Sequence, residues 1–226
     1  MIYYSDVSTP AVAVRRVSGA SGRKLLISRC RTDPSKTLYI PHFERVDIPG
    51  IVCRFSSDRK HRFRLTIPFQ GRAVAEDLLV IGQNPSAADN SRADRTIRYL
   101  EELIFRSVRR YSGMTVCNLY SRIDSAKRAT DDLNRPESTR IRDELIAQAT
   151  DVLLVFGASR RQGAYDFAGQ FDAIKPLLAG KKLLQLDAGV LTDYPPHPGN
   201  RHILYRNFSV RIAPYEPAPH RPPVGR

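Results

Sequence analysis

The feature that most constrains the fold is a change of pattern near residue 77. Before it, short β-branched runs alternate with turn sequences, which is typical of antiparallel strands. After it, apolar strand-like runs alternate with segments of helical periodicity, which indicates parallel pairing with helices over both faces of a sheet. The sequence therefore predicts an α/β fold, a three-layer αβα arrangement around a central, mostly parallel, four-stranded sheet with an N-terminal antiparallel β-extension.

The change of pattern divides the chain into three predicted regions. Residues 1–60 form a basic β-rich extension, residues 61–212 the α/β domain, and residues 213–226 a basic, Pro-rich tail. The predicted strands are Ala11–Arg16, Lys24–Cys30, Thr37–Ile40, Ile51–Phe55, Phe63–Ile67, Leu78–Gly82, Met114–Leu119, Val152–Phe156 and Lys182–Leu186. The predicted helices are one after Asp94 with an apolar stripe from Ile97 to Val108, and two near Pro136–Ala149 and Tyr165–Ala179.

The charge balance narrows the choice of partner. The 36 Lys and Arg residues outnumber the 23 Asp and Glu residues, which gives a formal net charge of +13. Arginine supplies most of the excess, and its planar guanidinium suits phosphate recognition better than lysine does. Because no basic amphipathic helix with an apolar face is evident, nucleic acid is favoured over a lipid surface or a merely basic soluble surface.

Other classes are excluded by composition. No run approaches the roughly 18 apolar residues of a membrane span, and the first twenty residues carry Asp6, Arg15 and Arg16 rather than the apolar centre of a signal peptide. A cytoplasmic location is therefore expected. The cysteines lack Cys-x-x-Cys spacing, which argues against a disulfide framework, a zinc finger and an iron–sulfur site. We expect no metal, no organic cofactor, no membrane association and no obligate protein partner.

Ligands of open parallel sheets bind beyond the carboxyl ends of the strands. In the loop after the first such strand, Gly82 permits close approach to the backbone and Pro85 stiffens the turn. Asn84 is thereby held at the mouth of the crevice, although capping a strand-to-helix turn is the alternative role for it. The loops that the rule selects are Gly82–Asp94, Asn118–Asp124, Gly157–Arg161 and Asp187–Arg201.

Motifs scattered between residues 62 and 206 carry a resemblance. Gly82–Asp89 reads Gly-Gln-Asn-Pro-Ser-Ala-Ala-Asp, and Asp94 begins Asp-Arg-Thr-Ile-Arg. Both resemble the signature of an uncharacterised bacterial and phage family, Gly-x-Asn-Pro-Ser-Thr-Ala-Asp followed by Asp-Pro-Thr-Ile-Arg. Asn118-Leu119, Phe156–Ala158 and Pro196–Pro198 follow in the family's order. The same order resembles the broader uracil-DNA glycosylase superfamily, in which a Gly-x-(Asp/Asn)-Pro motif follows the first strand and a His-Pro motif follows the last.

The resemblance implies a monofunctional DNA base glycosylase, which flips a pyrimidine out of the duplex and hydrolyses its N-glycosidic bond. It implies that Asn84 orients the attacking water and that His197 donates to the oxygen of the departing base. Asn118 would read the hydrogen-bonding edge of the base. An amide cannot accept the proton of the water, which suits slow turnover or an already dissociated sugar cation. Further implied substrate contacts are Gly82, Gln83, Pro85 and Ser86.

Some candidate residues have ordinary structural roles as alternatives. A histidine such as His197 is as typical of a surface loop as of a catalytic site. An asparagine at a strand end, such as Asn118, commonly bonds the backbone. Asp89 and Asp94 are typical helix caps, although either could act as a general base. The candidate contacts to the phosphates of double-stranded DNA are Arg122, Arg160, Arg161, Arg201 and His202.

Two departures from the resembled families bear on substrate. The uracil-specific branch carries a bulky aromatic shortly after the motif proline, where this chain has Ser86, so we hypothesise a pocket open to modified or hypermodified cytosine or uracil, as in phage DNA. Gly199–Arg201 stands where the narrower family continues Leu-Tyr. Two alternative functions stay open: a non-catalytic nucleic-acid or nucleotide-binding module of the same fold, and an enzyme that acts on free nucleosides or nucleotides.

Overall fold

A computed structural model describes residues 40–72, 77–157, 161–190, 192 and 194–215. The chain divides into two units, Met1–Pro34 and Ser35–Arg226, and every described residue belongs to the second. The strands predicted before residue 37, and most of Thr37–Ile40, lie outside the described residues. None of the described helices is long and apolar enough to cross a membrane.

Strands and helices alternate after residue 77, as the pattern predicted. Short 3₁₀ turns occupy Ile48–Gly50 and Lys175–Leu178. In chain order the strands and α-helices are β1 (Val52–Phe55), β2 (Arg62–Pro68), β3 (Leu78–Gly82), α1 (Arg95–Arg106), β4 (Gly113–Asn118), α2 (Pro136–Gln148), β5 (Asp151–Leu154), α3 (Phe167–Ile174), β6 (Lys182–Asp187) and β7 (Arg211–Pro214).

The strands form one seven-stranded mixed sheet in the order β1-β2-β4-β3-β5-β6-β7. The central strands β4, β3, β5 and β6 are parallel to one another, whereas β1, β2 and β7 pair antiparallel at the two ends. The prediction of a four-stranded sheet was therefore wrong in size, because a local pattern does not show which strands cover the edges of a parallel core. The sheet also continues across the predicted limits at residues 60 and 212.

Alternate residues of β3 pack on opposite faces of the sheet. Leu78 and Val80 belong to a buried cluster that includes the apolar residues of α1, which we call the α1-side cluster. Leu79 and Ile81 belong to a second cluster with α2 and α3, the α2–α3-side cluster. Because both faces are covered, β3 is buried along its whole length, as the continuous apolar run Leu78–Gly82 predicts.

Helix α1 begins and ends at residues that satisfy its terminal backbone groups. The predicted cap is confirmed at Asp94, where Oδ1 accepts the N–H of Ile97 at 2.7 Å. Asp89 does not cap the helix, because its carboxylate accepts bonds from Ser91 and Arg92 within a turn. The predicted stripe was too long, since α1 ends at Arg106 and Val108 is fully exposed beyond it.

The order of the strands creates a crevice at one edge of the sheet. The connections from β3 and β5 lead to strands on opposite sides, β4 and β6, and such a switch point opens beyond the carboxyl ends of the strands. Strand β2 runs antiparallel to β4, so its first residue, Arg62, lies at the same edge. The ends of β3, β4 and β5 and the start of β2 therefore surround one opening.

Candidate functional site

A cavity of about 340 Å³ occupies this crevice. Its apolar wall consists of side chains of the α1-side cluster, among them Val80, Val116 and Leu100. Its polar wall comes from the loops that follow the parallel strands and from the start of α1. Six of the predicted site residues line it together: Gly82, Gln83, Asn84, Ser86, Asn118 and His197.

Asn84 is held in place by the loop that follows β4. Its Nδ2 donates a hydrogen bond to the carbonyl oxygen of Asp124. The carboxylate of Asp124 in turn accepts bonds from the Ala129 N–H at 2.8 Å and from the Tyr165 hydroxyl at 2.9 Å. Because the amide nitrogen of Asn84 is engaged, the amide oxygen is the atom that can accept from a water or a ligand.

Asn118 lies directly beside Gly82 in the parallel register of β3 and β4. A Cβ atom at residue 82 would lie only 2.6 Å from Asn118 Nδ2, so the glycine makes room for this neighbouring side chain. That role differs from the expected approach of a ligand to the backbone of Gly82. The Asn118 amide makes no hydrogen bond within the part of the chain that the structure describes, and its donor and acceptor are open to a ligand.

His197 reaches the cavity from the segment that follows β6. The N–H of Gly199 donates to His197 Nδ1 at 2.9 Å, so the neutral ring carries its proton on Nε2. Burial lowers the pKa of His197 to about 4, which keeps the imidazole neutral at pH 7. The side chain is therefore a neutral N–H donor rather than a cation.

The backbone around His197 leaves no space for larger residues. The N–H of Gly157 donates to the carbonyl oxygen of Pro195 at 2.9 Å, which ties the histidine segment to the end of β5. Gly157 has φ +72°, and a Cβ atom there would lie 3.0 Å from the Cβ of His197. A glycine is thus favoured at residue 157 both by its backbone conformation and by the close approach of His197.

Tyr205 is a cavity residue that sequence reasoning missed. Its ring packs edge-on against His197 with the centroids 6.0 Å apart, and its hydroxyl accepts a bond from Thr96 at 3.4 Å. Leu204 and Tyr205 both have positive φ, which is uncommon for residues other than glycine and frequent near functional sites. No local signal in the sequence marks Tyr205, because residue type does not predict the positive φ at Leu204 and Tyr205 or the contact with His197.

Ser86 connects the loop between β3 and α1 (residues 83–94), which we call the motif loop, to the start of α1. Its hydroxyl donates to Asp94 Oδ2, while Asp94 Oδ1 accepts from Ile97. Both oxygens of Asp94 therefore accept hydrogen bonds from the protein, which hold this carboxylate against the start of α1. Pro85 is buried and lies outside the cavity lining.

Arg62 is a second cavity residue that sequence reasoning missed. Its side chain is buried, and its NH1 donates to the carbonyl oxygen of Ala88 at 2.9 Å. The available signal was an arginine placed immediately before the apolar run Phe63–Ile67. That signal was not interpretable alone, because only the antiparallel pairing of β2 with β4 brings the residue to the cavity.

The predicted DNA contacts do not line the cavity where the structure describes them. Arg122 pairs with Asp132 at 3.0 Å. Arg201 donates through Nε to Nε2 of its neighbour His202 at 3.0 Å. Of the pair Arg160-Arg161, the first lies outside the described residues and the second is exposed. Among the described residues, Arg161 and Arg201 are exposed cations that do not line the cavity.

The described residues contain no group of His, Cys, Asp or Glu side chains suited to hold a metal ion. Two cysteines are free thiols in this part of the chain. Burial raises the pKa of Cys53 to about 11 and that of Cys117 to about 12, so neither is a thiolate nucleophile at pH 7.

Comparison with known families gives one finding. Residues 62–198, more than half of the chain, match the model of the family described as "Protein of unknown function (DUF1643)". The match confirms the predicted likeness to an uncharacterised domain family and covers all six predicted residues of the cavity lining. No curated protein and no solved structure matches the chain.

Proposed function

We propose that this chain, which belongs to the DUF1643 family, is a monofunctional DNA base glycosylase, which hydrolyses the N-glycosidic bond of a flipped pyrimidine. The observation that carries the proposal is that Asn84 and His197, far apart in the sequence, line one cavity. Its volume of about 340 Å³ is near the small end of ligand pockets, and it suits a single nucleobase.

His197 is suited to stabilise the departing base. Cleavage of a glycosidic bond builds positive charge on the sugar and negative charge on the base. A neutral imidazole whose Nε2 carries the proton can donate a hydrogen bond to the base oxygen as that charge develops. Because the Gly199 N–H and the edge of Tyr205 fix the ring, little reorganisation accompanies this donation.

Two amides are suited to position the water and the base. The Asn84 amide nitrogen is bound to Asp124, so its oxygen can accept a hydrogen bond from the attacking water. The open amide of Asn118 offers a donor and an acceptor to the edge of a pyrimidine. Neither amide removes a proton, which is consistent with attack of water on a sugar that already carries much positive charge.

The order of the motifs supports the same proposal, since it resembles that of the uracil-DNA glycosylase superfamily. At the position of the bulky aromatic of the uracil-specific branch, the cavity is lined by Ser86, whose hydroxyl turns toward Asp94. The proposed substrate is therefore a pyrimidine with a substituent, including the modified or hypermodified cytosine and uracil of phage DNA. The net charge of +13 and the exposed Arg161 and Arg201 support DNA as the carrier of that base.

The direct test is mass spectrometry of the bases released from DNA. Duplexes that contain uracil, a 5-substituted pyrimidine or only ordinary bases are offered side by side, together with genomic DNA from modified phages. We expect release of a substituted pyrimidine by the wild-type chain. The Asn84→Ala variant is expected to lose release while it retains DNA binding. Exclusive release of uracil would contradict the substrate class, and no release from any DNA would contradict the activity.

A non-catalytic base-binding module is the second candidate, and one observation favours it. Among the described residues, Asp94 is the one carboxylate of the cavity lining, and both of its oxygens accept hydrogen bonds from the protein. The described lining thus offers no carboxylate without a protein partner, which favours binding over proton removal. Persistent affinity for DNA that contains the modified base, without release of any base during prolonged incubation, distinguishes this candidate from the glycosylase.

A further inference from the structure

We propose that Arg62 forms an oxyanion-binding subsite within the cavity, so that the natural ligand carries a carboxylate or a phosphate group there. The inference deepens the proposed function and rests on it for the identity of the bound ring. It does not depend on cleavage, because it concerns what the cavity binds.

The guanidinium of Arg62 is buried with few partners. The residue is 3% exposed, yet it lines the cavity. NH1 donates to the neutral carbonyl oxygen of Ala88, Nε is fully buried without a hydrogen-bond partner, and NH2 makes no hydrogen bond within the part of the chain that the structure describes. Within the described ranges, no carboxylate lies within salt-bridge distance of Arg62. A buried cation without a paired anion is costly, so this arrangement favours a ligand that supplies the missing acceptor.

The nearest acidic side chains in the described part of the chain accept hydrogen bonds from other residues. Asp94 accepts from Ser86 and Ile97, and Asp89 accepts from the turn that follows it. Burial lowers the pKa of Arg62, while the negative charges of Asp94 and Asp89 oppose this effect from a distance. Arginine stays protonated in proteins even so, and the charge needs a counterpart.

A bulge in the β1–β2 pairing brings Arg62 to the face of the sheet that holds the cavity. Arg54 pairs with Arg64, but the next residue, Phe55, pairs with Arg62, so one residue of β2 is extra. Bulges of this kind redirect side chains and are frequent next to functional sites. The side chain consequently contacts Ala88, a member of the α1-side cluster.

The other charges of the lining also favour an anion. Helix α1 has twelve residues, and its first turn, Arg95–Ile97, lines the cavity, where the helix dipole is positive. Among the described residues of the lining, Arg62 and Arg95 supply two cations against the one carboxylate of Asp94, and His197 is neutral. These described residues therefore carry a net positive charge.

The oxyanion could belong to either of two parts of a nucleotide. A carboxylate could be a substituent of the base, which agrees with the small Ser86 at the cavity wall. A phosphate could be the one attached to the flipped nucleotide. Both groups present oxygen pairs that a guanidinium binds through two donors.

Isothermal titration calorimetry with the full-length chain tests the subsite and separates these sources. The first pair of ligands is 5-carboxyuracil and uracil, and the second is deoxyuridine monophosphate and deoxyuridine. We expect the anionic member of at least one pair to bind about tenfold tighter or more, since hydrogen bonds to charged groups contribute that much. A preference in the first pair indicates the base substituent, and one in the second indicates the phosphate. No preference in either pair would overturn the proposal.

Variants test whether the guanidinium of Arg62 causes the preference for the anionic ligand. Arg62→Gln is expected to abolish it, whereas Arg64→Gln is expected to keep it, because Arg64 lies on the same strand, also has an unpartnered Nε, and does not line the cavity. Thermal unfolding followed by circular dichroism checks the fold of each variant. If Arg62→Gln does not fold, Arg62→Lys keeps the charge but loses the two-donor geometry, and the preference should weaken. A preference unchanged in a folded Arg62 variant would exclude the subsite.

The outcomes separate the subsite from the glycosylase. A chain that prefers the anionic ligands but releases no base from any DNA contradicts the proposed activity and supports the subsite. A chain that releases bases without any such preference contradicts the subsite and supports the activity.

Discussion

Gly157 determines how closely His197 approaches the end of β5. The residue has φ +72°, and a Cβ atom there would lie 3.0 Å from the Cβ of His197, so the histidine would have to shift by a few tenths of an ångström. Gly180 has a similar backbone, with φ +74°, but a Cβ atom there would meet nothing within 4 Å. A substitution at Gly180 therefore measures the free-energy cost of the backbone conformation alone, whereas the same substitution at Gly157 also displaces His197.

We predict that Gly157→Ala and Gly180→Ala each lower the free energy of unfolding by about 1–2 kcal/mol through the backbone conformation. Only Gly157→Ala is expected to reduce base release as well, because its methyl group pushes His197 out of position. Urea unfolding and mass spectrometry of released bases measure the two effects. Equal activity of the two variants would show that the position of His197 is not critical.

A second prediction at the residue scale concerns pH. Burial lowers the pKa of His197 from 6.5 to about 4, so the unfolded chain binds a proton at this residue at a higher pH than the folded chain does. The contribution of the neutral imidazole to the free energy of unfolding is therefore complete above pH 6.5, and it is lost progressively as the pH falls from 6.5 toward 4.

The measurement is the free energy of unfolding of the wild-type chain minus that of His197→Gln. We expect this difference to fall between pH 6.5 and about 4, because the other histidines titrate in both proteins and cancel. A difference that stays constant over this interval would mean that the imidazole is not buried in its neutral form.

At the scale of elements, two helices begin with the same kind of cap but only one borders the cavity. Asp94 accepts the N–H of Ile97 at the start of α1, and Asp166 accepts the N–H of Gly169 at the start of α3. We predict that Asp94→Ala and Asp166→Ala each destabilise the chain by about 1 kcal/mol. Only Asp94→Ala should also impair base release, because it frees Ser86 and loosens the motif loop.

Chemical denaturation and the release assay check this prediction. Asp94→Asn serves as a further variant, since its amide oxygen retains an acceptor for Ile97 while the negative charge is lost. If both caps affected activity equally, general loosening of the fold rather than the position of α1 would be the cause.

The elements with their own periodicity were predictable from the sequence. The apolar run of β3 and the stripe of α1 each show their type locally, and the structure confirms both. The neighbours of a strand are not encoded locally, which is why the sheet proved larger than predicted. The pairing of Leu65 with Val116 joins segments that are far apart in the sequence, and no pattern within either segment predicts it.

The same limit applies to the site. Asn84, Asn118 and His197 lie in loops that the rule about carboxyl ends of parallel strands selects, and the family resemblance singled these residues out within the loops. Arg62 stands at the start of an antiparallel strand and is redirected by a bulge. Tertiary register, rather than residue type, places it in the lining.

At the scale of the whole molecule, the net charge of +13 predicts a steep dependence of DNA affinity on salt. Each neutralised phosphate releases counterions, and proteins with 6–10 phosphate contacts lose roughly 10³–10⁵ in affinity between about 50 and 200 mM salt. We expect a loss of more than about tenfold over this interval, measured by fluorescence anisotropy with a labelled duplex. Asn84→Ala should show the same slope, and an affinity insensitive to salt would exclude phosphate contacts as its main source.

The two faces of the sheet differ in whether a substitution on them changes the cavity lining. The apolar lining of the cavity, which includes Val80, Val116 and Val155, belongs to the α1-side cluster, and none of it belongs to the α2–α3-side cluster. Substitutions in α2 and α3 are therefore separated from the apolar lining by the sheet itself, and Tyr165, which stacks on Phe167 of α3 and bonds Asp124, is the link that has to be kept. Protein engineers can redesign the solvent-facing surface of these two helices, for solubility or for attachment to a support, without replacing a residue of the recognition chamber.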